Sequence, residues 1–352
     1  MLILTIIIFI LILGVIIFVH ELGHFASAKL CKVKVEEFGF GFPPKIFGVK
    51  KGETTYSLNW IPIGGFVKLL GEEDGSKDKR SFNMQSIPKR VFIIVSGVLM
   101  NFLFAILILT IGFMIGMSPL ISSPESLGGS QQTEIIITGV LENSPAAEAG
   151  IISGDIVTGF SSIEDFQNYT KSHKNEEVSL NIKENGEVKT INVKLSDSAD
   201  APLGVGLVQS TKVKLPFFKA VKAAFVETGK VIYAIVDFVY SFFRDLFTGK
   251  KVEREVVGPV GMFGITQQAV KLGLVYVLQL AAYISINLGV INILPFPALD
   301  GGKILFLFAE GARGKRVIKM EIENIIHLIG FIILIALIIV VTYNDIVRLI
   351  RG

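Results

Sequence analysis

Hydrophobic and polar positions are unevenly distributed along this chain. Four stretches carry almost no charge: Met1 to Val19, Val91 to Ser118, Leu272 to Leu299 and Asn324 to Asn344. Crossing about 30 Å of hydrocarbon takes about 20 helical residues at about 1.5 Å each, so the pattern predicts four membrane-spanning helices. The first stretch lacks a basic leading segment and a small-x-small cleavage site, and reads as a retained span rather than a removed signal peptide. Residues Pro216 to Phe247 follow another pattern. At about 100° per residue, Lys219, Lys222, Glu227, Lys230, Asp237, Arg244 and Asp245 share an arc of roughly 140°, with Phe217, Phe218, Val221, Phe225, Ile232 and Phe243 among the apolar remainder. This predicts an amphipathic helix lying in the membrane interface.

The polar middle of the chain, Gln131 to Val208, reads as one compact α+β module. Thr133 to Leu141 is a β-branched run, Pro145 to Gly150 a short helix closed by glycine, Ile156 to Phe160 a strand and Ser162 to Ser172 a helix. Val178 to Ile182 and Glu187 to Leu195 are expected to pair across Asn185-Gly186, a hairpin signal.

Composition agrees with a membrane protein. The 352 residues are 51% hydrophobic and only 18% charged, with a mean hydropathy of +0.61, whereas soluble domains average about 25% charged. A single soluble domain and a disordered chain are both excluded. The net charge of +3 is too small to argue for nucleic acid. Cys31 is the one cysteine, so no internal disulfide can form and the polar module must rely on its own core. Between the first two spans lie twelve basic and eight acidic residues, which makes that segment cytoplasmic by the positive-inside rule. The N-terminus and the polar module are then extracytoplasmic. Lys303, Arg313, Lys315, Arg316 and Lys319 agree with a second cytoplasmic loop between spans three and four.

At the inner end of span one stands His20-Glu21-Leu22-Gly23-His24, an HExxH pattern. Four-residue spacing places both imidazoles on one helix face, where they can bind one zinc ion, with Glu21 beside them as a base for water. Ionisable residues at the end of an apolar helix are expensive and usually functional. Catalytic zinc sites need a third protein ligand, and Asp300 is the best candidate. It ends an uncharged run of 28 residues in which Pro295 and Pro297 break the helix, leaving irregular backbone at membrane depth. Such backbone is tolerated where it lines a cavity. With spans one and three both running inward, His24 and Asp300 end on the same side.

Across nearly its whole length the sequence resembles the site-2 proteases, in the bacterial branch typified by the regulator-of-sigma-E protease. The matching segments are His20 to His24, FGFGFPP at Phe38 to Pro44, IPIGGFVKL at Ile61 to Leu69, GVLMN at Gly97 to Asn101, Gly258-Pro259-Val260-Gly261, and NLGVINILPFPALDGG at Asn287 to Gly302. ENSPAAEAGIISGDIVTGF, from Glu142 to Phe160, resembles the middle of a bacterial PDZ domain, which implies a groove for an extended peptide or, alternatively, a steric plug. The resemblance implies zinc held by His20, His24 and Asp300, Glu21 as catalytic base, and cleavage of a membrane-spanning helix within the bilayer. It also implies that Asn287 and Asn292 lie near the zinc as substrate or oxyanion donors. Gly39 to Pro44 and Ile61 to Lys68, with Gly64, Gly65 and Phe66, resemble a re-entrant β-hairpin that offers an edge strand to unwound substrate.

Two departures from the family pattern stand out. Only one PDZ module fits the length, and Lys303 stands where some relatives have histidine. His327, with Glu323 one turn earlier in span four, reads as a buried pair or interfacial contact rather than a second metal site. The expected fold is a polytopic α-helical membrane protein of four spans with a re-entrant hairpin and one inserted PDZ domain. Residues 1–125 would hold spans one and two, 126–210 the PDZ domain, 211–260 the interfacial helix and linker, and 261–352 spans three and four. The expected function is zinc-dependent cleavage of single-span proteins in a bacterial cytoplasmic membrane. Anti-sigma factors or leftover signal peptides are the substrates implied, and transmembrane proteins and lipid the partners. A catalytically silent scaffold displaying its PDZ domain is the alternative of another class. A transporter is disfavoured because only Thr5 and Gly14 interrupt span one before His20.

Overall fold

The computed structural model describes residues 1–72, 75–184, 187–198, 200–249, 257–314 and 318–351. The Asn185-Gly186 turn and the loop residues Lys315 and Arg316 lie outside these. Along the chain run α1 (Leu2–Leu30), β1 (Val35–Lys51), β2 (Thr54–Leu69), α2 (Ile87–Ile115), α3 (Pro124–Leu127), β3 (Ser130–Val140), α4 (Pro145–Glu148), β4 (Ile156–Thr158), α5 (Ile163–Ser172), β5 (Glu177–Glu184), β6 (Glu187–Lys194), β7 (Val205–Lys214), α6 (Phe217–Phe247), α7 (Pro259–Leu272), α8 (Leu274–Ile293), α9 (Asp300–Arg313) and α10 (Met320–Arg351).

Of the described helices, α1, α2, α8 and α10 are long and apolar enough to cross a membrane. Their surfaces agree. On α10, Leu328, Phe331, Ile332, Leu337 and Ile339 are all more than half exposed, an arrangement that water would penalise and lipid would not. α1 continues eleven residues beyond the expected end of its span, so His20 to His24 belong to unbroken helix. α8 stops at Ile293, before the two prolines, as their missing N–H groups dictate. The chain then turns through Leu294–Leu299 into α9.

By its internal contacts the chain forms two compact units. One comprises residues 1–108, 228–266 and 280–352, the other residues 109–227 and 267–279. In the first, α1 and α2 approach closely at Gly23, where an added Cβ would lie 2.9 Å from the Gly97 Cα and closer still to the Ser96 carbonyl oxygen. Small residues at a helix crossing allow this contact in a bilayer, where packing replaces the hydrophobic effect as the driving force. β1 and β2 are long antiparallel strands that each bend, so Val35–Phe40 pairs with Gly65–Leu69 on one side and, at Glu37–Phe40, with Thr55–Leu58 on the other. Gly65–Leu69 is therefore an edge. Ala28, Val35, Leu69, Phe82, Ile94 and Ile304 share a buried cluster, and Arg90 of α2 pairs with Glu310 of α9 at 2.9 Å. Together these contacts fix α9 against α1, α2 and the end of β2.

In the second unit a five-stranded antiparallel sheet has the order β6-β5-β4-β3-β7. Phe166 of α5 is 1% exposed against Ile137, Leu180 and Ile182, and the Ser162 hydroxyl caps α5 by accepting from Asp165 N–H. β7 extends to Lys214, six residues beyond the expected end of the module. Its irregular polar alternation is a weak strand signal, and pairing with β3 over ten register positions supplies the missing order. Glu227 of α6 is fully buried and accepts from the N–H groups of Leu120, Ile121 and Ser122 at 2.8–3.1 Å.

Candidate metal centre

The helical spacing of His20 and His24 brings their Nε2 atoms to 3.1 Å. Asp300, the first residue of α9, places Oδ2 3.0 Å from the His20 nitrogen and 3.4 Å from that of His24. One donor atom from each lies within 4.8 Å of the other two, the one such His, Cys, Asp or Glu group among the described residues. Ligand atoms about 2.0–2.2 Å from a tetrahedral zinc sit about 3.3 Å from one another, so the spacing suits that ion. Asp300 Oδ2 is also buried, and with the imidazole protons on Nδ1 it receives no hydrogen bond from the two nitrogens it faces, an arrangement that is costly for a carboxylate unless a cation completes it.

The outer faces of both imidazoles are held. His24 Nδ1 lies 2.9 Å from the Ile93 carbonyl oxygen. A carbonyl only accepts, so Nδ1 carries the proton and Nε2 presents its lone pair to the centre. His20 Nδ1 faces the amide of the fully buried Asn101 at 3.3 Å. The Asn101 Oδ1 otherwise lacks a partner; turned toward His20, it accepts from Nδ1–H and selects the same tautomer. Asn101 in turn is fixed by Ser285, whose hydroxyl donates to its backbone oxygen at 2.9 Å.

Glu21 lines a cavity of about 220 Å³ together with His20, His24, Phe66, Asp300 and Lys303. Gly65 adjoins it: a Cβ there would lie 3.3 Å from Glu21 Cγ. Gly64, beside it, has φ +102°, a conformation that glycine adopts freely. Asn292 brings Nδ2 to 3.4 Å from His20 Nε2. Asn287 is not brought in by a contact of this kind; its amide donates to the Tyr283 carbonyl of its own helix at 2.9 Å. His327 holds the irregular segment before Asp300, since its Nδ1 accepts from the N–H of Ala298, a residue at φ +78°.

Gly97 and Asn101 carry roles that the residues alone do not disclose. They occur in the GVLMN segment, yet only the fold sets them against the histidines. A Cβ on Gly97 would lie 2.5 Å from His24 Cε1 and 2.9 Å from His20 Cε1. Gly97→Ala must displace one imidazole or spread α1 from α2. An expected loss of about 100-fold in peptidase activity, the scale of a 1 Å misplacement, is checked by activity and bound-metal assays on the folded variant. Wild-type values for both would contradict the close contact.

Four helices apolar enough to cross a membrane and these converging donors fit a multi-pass membrane metallopeptidase. The chain belongs to peptidase family M50, the site-2 proteases, whose family model matches residues 8–337. A Clostridium acetobutylicum protein is 35% identical over 349 residues, covering 97% of each chain. The zinc metalloprotease RasP of Shouchella clausii is 32% identical, covering 98% of this chain and 99% of its own. The regulator of sigma-W protease RasP of Bacillus subtilis is 29% identical with the same coverage. This chain is thus a zinc metalloprotease.

Proposed function

We propose that the enzyme hydrolyses peptide bonds of single-span membrane proteins within the bilayer, with His20, His24 and Asp300 as zinc ligands and Glu21 as base. The observation that carries this reading is the position of the site: the donors of His20 and His24 belong to a 29-residue apolar helix and converge with Asp300 beside the edge of a β-hairpin. A helical substrate hides its peptide bonds in its own hydrogen-bond ladder and must become extended before attack. The Gly65–Leu69 edge supports such a role, since an added strand would hydrogen-bond there and pass Phe66 and Glu21. In this reading β1 and β2 form the re-entrant hairpin.

Bound zinc supplies a Lewis acid that polarises the peptide carbonyl and makes water acidic near neutral pH. Glu21 accepts the proton from the attacking water and later delivers it to the leaving amine nitrogen. Ile93 and Asn101 keep the imidazoles in the tautomer the site needs, and Asn292 offers an amide N–H at its rim. Asn287, bonded to its own helix, would reach substrate only on changing rotamer.

The sheet-containing segment, residues 126–210, is read as a PDZ domain. A cleft between Phe166, Gln167 and Thr170 of α5 and the stretch Leu203–Val205 supports a groove for an extended chain end, and β7, the last strand of its sheet, would be augmented only ahead of Val213, which Met117 already bridges. Residues 1–125 and 261–352 carry the two halves of the site, and α6, in residues 211–260, lies in the interface. The basic loop between spans one and two sets the orientation, with the N-terminus and PDZ domain outside a bacterial cytoplasmic membrane. The B. subtilis relative is named for regulating sigma-W; substrates of the same kind here would be anti-sigma factors or remnant signal peptides, admitted after their outer portions are trimmed.

A tagged single-span reporter helix in reconstituted vesicles tests the reading. Cleavage is expected to stop in a zinc chelator and to return when zinc is restored. Reporters with weakened helix propensity should be cut faster. Equal cleavage with and without chelator would sink the proposal.

A further inference from the structure

The catalytic cavity holds two charged side chains that the chemistry above leaves unused, Lys303 and Glu72. Lys303 lies one turn into α9, three residues beyond Asp300, and lines the cavity with Glu21 and both histidines. Its ammonium is 2.6 Å from Glu72 Oε1. Glu72 follows the Gly65–Leu69 edge and lines the same cavity, so the pair ties the hairpin to the helix that begins with Asp300. The Glu72 carboxylate first, and Asp300 and Glu21 behind it, hold the Lys303 ammonium above the ordinary lysine range. An ammonium has three N–H donors. Glu72 is its hydrogen-bonded partner among the described residues, which leaves donors for a group entering the cavity.

Tethering alone gives a weak account of this pair. A partly desolvated ion pair adds little net stability over an apolar replacement of equal volume. A fixed cation in a catalytic cavity, by contrast, suits a reaction that places negative charge on an oxygen. The N-terminal end of α9 contributes positive potential of the same sign.

We propose that Lys303 is a further catalytic residue, whose ammonium hydrogen-bonds the scissile carbonyl oxygen as it becomes charged, and that Glu72 is the residue that positions it. The assignment rests on the peptidase reading given above. As the water oxygen bonds to the carbonyl carbon, its proton passes to Glu21 and the carbonyl π pair moves onto oxygen, where Lys303 donates. When the C–N bond breaks, that pair re-forms the carbonyl and the Glu21 proton goes to the amine.

The test uses the full-length zinc enzyme in vesicles with the reporter helix, comparing wild type, Lys303→Met, Lys303→Arg, Glu72→Gln and the reversed pair Glu72→Lys with Lys303→Glu. Loss of one oxyanion donor predicts that Lys303→Met lowers kcat by about 10²–10³-fold. KM should move by less than about 3-fold with zinc content unchanged, because the donor acts on charge that develops only in the transition state, while Tm should fall because Glu72 loses its ion-pair partner. Lys303→Arg keeps the cation and should recover part of the rate. Glu72→Gln, which weakens the hold on Lys303, should show a smaller kcat loss. The reversed pair restores a tether with the cation on the wrong element, so it should recover Tm while remaining as slow as Lys303→Met. Recovery of cleavage in the reversed pair, a change confined to KM, or loss of zinc from Lys303→Met would each overturn the proposal. A Lys303→Met enzyme that matches wild type overturns the role of Lys303 alone, whereas a wild type that leaves every reporter whole overturns the peptidase reading and this assignment with it.

Discussion

Glu21→Gln should lower reporter cleavage by about 10³–10⁴-fold and leave zinc bound at about one ion per chain. Glutamine matches the glutamate in size, so the neighbouring Gly65 backbone is undisturbed. It cannot accept a proton, so the base that activates water and the acid that serves the leaving amine disappear together. General acid–base groups contribute about 10²–10⁴-fold, and one residue serving both steps belongs near the upper end. Zinc should be retained because Glu21 is not among the three convergent donors, which belong to His20, His24 and Asp300. Metal analysis alongside single-turnover cleavage checks both halves of this expectation. A variant that cuts at the wild-type rate removes Glu21 from the chemistry, and one that loses zinc makes it a ligand instead.

Asp300→Ala acts on the metal itself. Oδ2 of Asp300 faces both imidazoles at 3.0 and 3.4 Å, and its removal leaves two protein ligands where catalytic zinc normally has three. Zinc content should fall well below about one per chain after dialysis, with cleavage below detection. The helix should survive. An acidic side chain in the first turn of a helix is worth about 0.3–1 kcal/mol through the macrodipole, and the packing of Gly301 and Gly302 against the carbonyls of Ile293, Leu294 and Phe296 remains. Asp300→Asn keeps the shape and removes the charge. If it retained full zinc, the carboxylate would not be the third ligand.

Much of this site was legible in the one-dimensional pattern because its main parts are local. HExxH on an apolar helix needs only the 3.6-residue turn to bring two imidazoles together, and two prolines beyond an uncharged run suffice to end α8 before Asp300. Other features depend on contacts between residues far apart in the chain. Asn101 meets His20 across 81 positions and the Ile93 carbonyl meets His24 across 69, and nothing in GVLMN by itself states what faces it. Asn287 and Asn292 show the same limit. They are five residues apart on one apolar helix, yet only Asn292 is turned onto His20.

The hairpin and the polar module divide in the same way. Runs of alternating residues predict strands, but the double pairing of Glu37–Phe40, with Gly65–Lys68 on one side and Thr55–Leu58 on the other, follows from bends in both strands. That folding creates the edge beside Glu21. β7 likewise acquires its length from β3. His327 carried a recognisable functional side chain but not its task, which emerges only where Ala298, at positive φ, needs an acceptor for its N–H. Periodicity, apolar length and ligand spacing are short-range quantities, so the amino-acid order alone determined the four spans, the histidine pair and Asp300 as its candidate partner. Which tautomer each imidazole adopts, which glycine makes room for it and which lysine enters its cavity were decided by helix crossing and strand bending, because those contacts join elements that share no local pattern.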